Sequence, residues 1–332
     1  MTRAALLPMG ADPFLNTYWL RHHAQVWSDE VDELRILMCG QSDPEVIAYV
    51  RREAEKVGAI FDHDPSRVVH GEAIGRLIAS TQADYVMLCE DDAFVRHKGI
   101  IARHFRAVED ELTDVVGCPR GNTNPKIVDA AIQKWGPWET TESGEVGHSL
   151  WPCFLFTRTE HLRATDGHYD SRNWAPGDVI EGLGYTVTEY SSGDTFVSVS
   201  YQLRDMGLRI QLESEFRMEE AKLGQWDHIP WFHVGSLSSG YGSHFPGVLP
   251  DAVYRDRVAV ISTPTEIGDW YKRVSFWWRV WQKTEGTARS AIPNVVAAYF
   301  NALYKFTDDI GIDPDRLAKW DAGFQRLITW TE

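Results

Sequence analysis

The sequence predicts an α/β protein with a mostly parallel sheet flanked by helices, and three observations lead there. Short apolar runs alternate with helical patterns over residues 4 to 118, and strands that alternate with helices of such length pair in parallel under a helical cover. One apolar run, Tyr85 to Cys89, stops abruptly on Glu90-Asp91-Asp92. Open α/β sheets collect their ligands there, just beyond the carboxyl ends of the strands. Past Pro250 the pattern changes to aromatic stripes at helical spacing, which predicts a C-terminal helical appendage on the α/β body.

Taken in order, Ala4 to Met9, Leu34 to Cys39, Tyr85 to Cys89 and Val115 to Cys118 read as buried strands. Asp12-Pro13 and Asp43-Pro44-Glu45 each open a helix, with an acid at the N-cap and proline at the first helical position. Gly71 to Thr81 carries Ala73, Ile74, Leu77 and Ile78 at helical spacing and leads into the acidic strand. From Gly117 to Leu150 the chain is rich in Gly, Pro, Asn and Thr, with Trp135 and Trp138 between, and reads as a long surface loop over the sheet. Cys153 to Phe156 is a short strand. Gly193-Asp194 then opens a helix with Phe196, Val199, Ser200, Leu203 and Met206 on one face, Gly207 ends it, and Leu208 to Leu212 is the next strand. In the appendage, Trp270, Val274, Trp277 and Trp281 make one stripe, and Val295, Tyr299, Ala302 and Phe306 make another.

Composition sets limits on function. The chain has 332 residues, 43% of them hydrophobic and 24% charged, as in ordinary globular proteins. A net charge of −15 argues against a bare polyanion as the main partner, because Lys and Arg supply most of that affinity. Fourteen Trp are many, and indole recurs where sugars, bases or interfaces are met, besides filling cores. Cys39, Cys89, Cys118 and Cys153 have no paired metal-ligand spacing and read as small buried hydrophobes in a reducing compartment. No apolar run reaches the ~20 residues of a membrane span, and a cytoplasmic protein without a transmembrane segment is expected.

Three carboxylates at one strand tip repel one another and raise each other's pKa unless a cation or solvent relieves them. A hard divalent ion with oxygen ligands is the natural relief, and a solvated acidic turn is the simpler one. The flanking segments favour the ion.

Four segments carry a resemblance. Cys39-Gly40-Gln41-Ser42-Asp43 follows the second strand; Gly71 and Gly75 open the helix that runs into Asp84 to Leu88 and Glu90-Asp91-Asp92. Cys153 to Arg158 is followed by Gly193-Asp194 and Val199 to Ile210, and His233-Val234-Gly235-Ser236 comes after the last sheet element. In order and spacing, the chain resembles the GT-A type nucleotide-sugar glycosyltransferases, especially the large inverting family 2-like group. Glu90 stands where that group has the first acid of Asp-x-Asp, and Gly193 where it has a Glu before the catalytic Asp.

The resemblance implies a GT-A domain over residues 1–248, with a nucleotide-sugar half at about 1–118 and an acceptor half at about 150–248, and a helical extension over 249–332. It implies Mn²⁺ or Mg²⁺ held by Asp92 and His233, and a nucleoside-diphosphate sugar donor, UDP-linked before others. The donor would contact Pro8, Gly40, Ser42, Asp43, Gly71, Glu90 and Asp91, with Glu90 on the ribose or a metal-bound water. Asp194 is the implied general base, taking the proton of the acceptor hydroxyl in an inverting transfer. An Asp at that point is also a helix N-cap worth about 1 kcal/mol, and Asp178 and Glu181 stand in reserve. His233 lies among apolar residues, where a histidine can simply be packed, and Arg204 and Arg209 could pair with phosphate or with acids.

The acceptor is open: glycan, protein side chain, lipid carrier or hydroxymethylated DNA base, with DNA disfavoured by charge. A nucleotidyltransferase shares this kind of sheet, but Pro8-Met9-Gly10-Ala11-Asp12 has no Lys or Arg for a phosphate loop. A non-enzymatic carbohydrate-binding protein would account for the tryptophans and leave the acidic tip unexplained.

Overall fold

The computed structural model describes residues 1–10, 16, 19–20, 23–24, 26–42, 44–66, 68–91, 93–95, 98–120, 124–136 and 149–213, and the backbone of 231–233. In chain order the elements are β1 (Arg3–Met9), β2 (Glu33–Cys39), α1 (Pro44–Lys56), β3 (Ile60–Asp64), α2 (His70–Ser80), β4 (Tyr85–Cys89), β5 (Ala93–Val95), α3 (Ile100–Glu109), β6 (Val115–Arg120) and α4 (Pro125–Trp135). They continue with β7 (Ser149–Arg158), α5 (Thr159–Arg163), β8 (Arg172–Trp174), β9 (Val179–Ile180), β10 (Tyr185–Thr186), β11 (Ser191–Gly193), α6 (Val197–Asp205), β12 (Ile210–Leu212) and β13 (Trp231–His233).

Seven strands form one sheet in the order β12-β6-β7-β4-β1-β2-β3. All neighbours in it are parallel except at β7, which runs antiparallel to both β4 and β6. The mostly parallel sheet with helical cover read from the sequence is therefore present. Parallel strands need long crossovers, which α1 and α2 supply between β2, β3 and β4. The central strands are apolar on both faces: Ala4 to Leu7 and Val86 to Leu88 are all at most 1% exposed, as expected under helices on both sides.

One core cluster joins Ala73, Ile74, Leu77 and Ile78 of α2 to Ala4, Leu6, Leu37, Val86 and Leu88 of the sheet and to Val199 and Leu203 of α6. Burying the three large α2 side chains contributes roughly 5–9 kcal/mol at most. The other face of α6, Val197 and Tyr201, packs with Ile127 and Ala131 of α4, Trp174 and Ile180 in a second cluster. Spacings of four thus hold one short helix in two cores. α3 begins under a remote cap, since the buried Glu30 accepts from the amides of Gly99 and of Ala102 (2.8 Å).

Three expectations change. β3 is additional to the strands expected; Ile60 and Asp62 are exposed, and an edge strand with a mixed face has no apolar run to reveal it. The stretch Gly117 to Leu150 is not simply a loop: β6 runs on to Arg120, α4 fills Pro125–Trp135, and β7 begins at Ser149. Asn124 caps α4 by accepting from the Lys126 amide at 2.9 Å, with proline next in line; Asn-Pro thus starts a helix here instead of marking a loop. α6 begins at Val197, not at Gly193-Asp194. Asp12-Pro13 and the helical extension over 249–332 lie outside the described residues. Among the described residues, no helix is long and apolar enough to cross a membrane.

Candidate active site at the strand tips

β1, β2 and β4 run the same way, so their carboxyl ends emerge together. At the end of β1, Gly10 is held from two sides: its amide donates to Asp91 Oδ2 at 2.8 Å, and its carbonyl accepts from Asn16 Nδ2 at 2.8 Å. Asp91 is 2% exposed. Of the acids expected to meet a nucleotide, Asp91 instead turns inward and fastens the β4 tip to the β1 tip. Pro8 is buried in β1 beyond the last residue paired with β4, Leu6 with Leu88, so its missing N–H costs no bond there.

Glu90 is oriented differently. Its carboxylate lies 3.5 Å from His70 Nε2, on the first residue of α2, and is 14% exposed against 34% for the imidazole. The Glu90 carbonyl accepts from Ala93 N at 3.1 Å, closing a turn between β4 and β5. Asp92 and Asp43 lie outside the described residues. β13 pairs antiparallel with β5, and His233 is the register partner of Ala93. A residue 140 positions later is thereby delivered beside the acidic turn.

Around the β2 tip, Gly40 adopts φ 80°, which favours glycine, and its amide donates to Asp64 O at 3.0 Å. Gln41 is buried, and its carbonyl meets His63 Nε2 at 2.7 Å, while Ser42 is exposed. The Asp64 carboxyl is held down to about 2 by the Ser66 hydroxyl and then by Arg76, whose Nη1 lies 2.6 Å away. Arg76 also reaches Glu72 at 2.6 Å, tying the β3 tip to α2. Burial pushes the Cys39 thiol up to about 11 and the Cys89 thiol well above its ordinary value, so neither is a thiolate nucleophile.

Gly71 decides how the two halves meet. A Cβ on it would lie 2.2 Å from both Cα and N of Asp170 and 2.5 Å from the carbonyl carbon of Tyr169. Its bare face receives the Tyr169–Asp170 backbone, so packing by itself requires a glycine there. Tyr169 O accepts from Phe196 N at 2.9 Å, and the two rings stack with centroids 6.1 Å apart. Contacts therefore run unbroken from Glu90 through His70, Gly71 and Tyr169 to Phe196, two residues from Asp194.

Phe196 holds an unusual backbone, φ 72° and ψ −3°, with its ring fully buried. A left-handed conformation is a genuine outlier for a bulky residue and costs of order 1–3 kcal/mol. It is held by the Tyr169 bond and by its own carbonyl, which accepts from Ser200 N at 2.9 Å and Ser200 Oγ at 2.7 Å. Phe196, not Asp194, is the N-cap of α6, and no side chain caps that helix. The N-cap reading of Asp194 is thus corrected: its Oδ1 accepts from the neighbouring Thr195 amide at 2.8 Å, three residues before the helix.

The reserve acids have structural partners. Asp178 accepts from the Ala175 amide at 2.7 Å and closes a turn. Glu181 shares a hydrogen bond with Asp166, which raises the Glu181 carboxyl; burial pushes Asp166 up, yet its bonds with Glu181 and Gln202 hold it at about 2, with Arg172 2.7 Å away. Arg209 pairs with Asp114 at 2.9 Å, and Arg204 sits over the Trp135 ring at 4.6 Å, its guanidinium lowered to about 10 by burial. Neither arginine is left for a phosphate.

No protein-family model matches the sequence, and no curated protein matches it. The structure is similar to several solved ones. A mannosyltransferase from Pyrobaculum calidifontis, solved with GDP-Man and Mn²⁺, is 13% identical with a TM-score of 0.44, the match covering 99% of this chain and 83% of that one. Glucosyl-3-phosphoglycerate synthase from Mycobacterium tuberculosis, solved with Mn²⁺, UDP and glucosyl-3-phosphoglycerate, is 22% identical with a TM-score of 0.35, over 55% and 63% of the two chains. A nucleotidyl transferase from Methanothermobacter is 11% identical with a TM-score of 0.35, over 68% and 93%.

His70, Asp64 and Phe196 were not singled out from the sequence. His70 precedes Gly71 with no motif of its own, and only the fold brings it to Glu90. Phe196 reads as a core position on an apolar stripe, and its φ leaves no trace in composition.

Proposed function

We propose that this protein is a metal-dependent glycosyltransferase that moves a sugar from a nucleoside diphosphate to an acceptor hydroxyl, with inversion. One observation carries the reading: the contacts through Gly71 and Tyr169 link the Phe196 segment, two residues from Asp194, to the helix whose first residue touches the strand-tip acid. In this reading the strand tips receive the donor and Asp194 supplies the separate carboxylate that a direct displacement needs.

The donor set suits a hard divalent cation. Asp92 and His233 would hold it; they join a carboxylate and an imidazole, and the β5–β13 register sets the His233 backbone across from the residue after Asp92. Among the described residues, no three His, Cys, Asp or Glu side chains already form a metal shell, so the shell depends on those two and on the donor's own phosphates. When bound, the ion would neutralise charge on the leaving diphosphate.

Gly40 and Ser42 lie at the β2 tip for the nucleoside, Glu90 for the ribose, and Asp91 keeps the β1 and β4 tips together beneath them. Asp194 takes the acceptor hydroxyl's proton as that oxygen bonds to the anomeric carbon. The bond from anomeric carbon to phosphate oxygen breaks in the same step, and the nucleoside diphosphate leaves with the electron pair.

The test is a thermal-shift screen of UDP-, GDP-, CDP- and dTDP-sugars, each with Mn²⁺ and with EDTA, on wild type and Asp92→Ala. A ligand that binds only the native state raises the melting temperature by mass action. One nucleotide class should stabilise the wild type only with metal and leave the variant unmoved. Stabilisation undiminished by EDTA would remove the metal from the reading; no shift with any donor would overturn the reading as a whole.

A further inference from the structure

Tyr190 is 82% exposed and, among the described residues, its side chain makes no hydrogen bond, ring contact or cation–π contact. The backbone that carries it is pinned on both sides. Asn124 Nδ2 donates to Glu189 Oε1 at 3.2 Å and to Ser191 Oγ at 3.0 Å, and Lys126 pairs with Glu189 at 3.1 Å. Ser191 opens β11 opposite Trp174 of β8. A large exposed ring on a fixed backbone presents its flat face to solvent.

The pleat of β11 says which way that face looks. Gly193 is packed on Trp174, whose ring atom would lie 2.5 Å from a Cβ there, and Ser191 is turned to Asn124. Alternation within β11 puts Ser192 on the opposite face; Tyr190 and Asp194 flank the strand on either side, and Tyr190 and Ser192 are exposed while Asp194 is partly so. Tyr190 and Asp194 are four residues apart, a span of at most about 13 Å, which at full extension exceeds one sugar ring.

We propose that Tyr190 and Ser192 form an acceptor subsite that receives a neutral sugar ring of an oligosaccharide whose terminal hydroxyl lies at Asp194. A pyranose offers one face of C–H groups that packs on an aromatic ring, and hydroxyls at its rim for a serine. The net charge of −15 and the carboxylate of Glu189 beside the platform disfavour a nucleic acid strand. The subsite's role in catalysis rests on the transferase reading; binding to it does not.

The experiment is saturation-transfer NMR and calorimetry on the full chain, with chitopentaose, maltopentaose and cellopentaose as neutral probes and a duplex DNA oligomer as the charged one. One pentasaccharide should bind, Tyr190→Ala should weaken it about tenfold, and Tyr190→Phe should stay within about twofold because the ring carries the contact. The donor-induced thermal shift with Mn²⁺ should be the same in both variants. Absence of binding by all three sugars, binding unaltered in Tyr190→Ala, or binding of the DNA alone with dependence on Tyr190 would each overturn the subsite. A failed donor shift in the wild type would instead fall on the transferase reading and leave the pentasaccharide result standing.

Discussion

Gly71→Ala offers a test in which the sign of the effect is informative. In an ordinary helical position the change would stabilise, because alanine gains up to about 1 kcal/mol over glycine in helix propensity. Here the added Cβ would fall 2.2 Å from Asp170 Cα and N and 2.5 Å from Tyr169 C. These are backbone atoms, which cannot swing aside as the end of a side chain can, so α2 and the Tyr169–Asp170 segment must separate by about 1 Å. Forced overpacking costs typically 1–3 kcal/mol, and taking the upper end less the helix gain leaves a net loss of about 2 kcal/mol. For a chain of 332 residues the melting temperature should fall roughly 3 °C.

Urea unfolding and a thermal scan on wild type, Gly71→Ala and Gly75→Ala would measure it. Gly75 is the internal control: its Cβ would meet only the Tyr169 ring, at 3.2 Å, and a ring can tilt, so that variant should lie within about 0.5 kcal/mol of wild type. A Gly71→Ala protein as stable as wild type, or more so, would refute the close crossing of the two halves. It would also remove the contact that brings Asp194 towards the strand tips.

Two further outcomes follow from particular contacts. At Phe196 the usual ranking of small residues should invert: Phe196→Ala should lose about 3–5 kcal/mol for the buried ring, whereas Phe196→Gly, which accepts φ 72° without strain, should be about 1 kcal/mol more stable than Phe196→Ala in the same denaturation assay; alanine ahead of glycine would show that the backbone there is not left-handed. The Asp114 carboxyl is held at about 2 by Arg209, below its unfolded value of 3.8, so its stabilisation is present above pH 4 and disappears as pH falls through 2. Because Arg209 is 56% exposed, solvent screening limits this to about 1 kcal/mol: Asp114→Asn should be less stable than wild type by that amount at pH 7 and equal to it near pH 2, and a difference that persists at pH 2 would assign the effect to packing.

Patterns that belong to contiguous residues were legible in the sequence. The buried central strands, the α2 stripe of Ala73, Ile74, Leu77 and Ile78, and the acidic end of β4 are all short-range regularities, and each reappears within a residue or two. Hydrophobic periodicity reports which face is buried, and therefore element type, wherever one face is uniformly apolar. It was silent on β3, whose edge position leaves a mixed pattern, and it carried the α6 helix back to Asp194, because Phe196 continues the apolar stripe while its backbone has already left the helix.

What each acid does is decided by contacts between residues far apart in the chain. Glu90 and Asp91 are neighbours of identical charge, yet one meets His70 near the surface and the other is buried on the Gly10 amide. Gly71 is expected from the resemblance to contact the donor and is a crossing point for the Tyr169–Asp170 backbone nearly a hundred residues away. Local sequence determined the strands, the helices and the place where charge would gather, because those depend on periodicity and on repulsion between adjacent groups. Only the tertiary structure determined which carboxylate faces inward, which is paired, and which stands on the strained elbow, since a side chain's role is set by the partners that packing brings within hydrogen-bond reach.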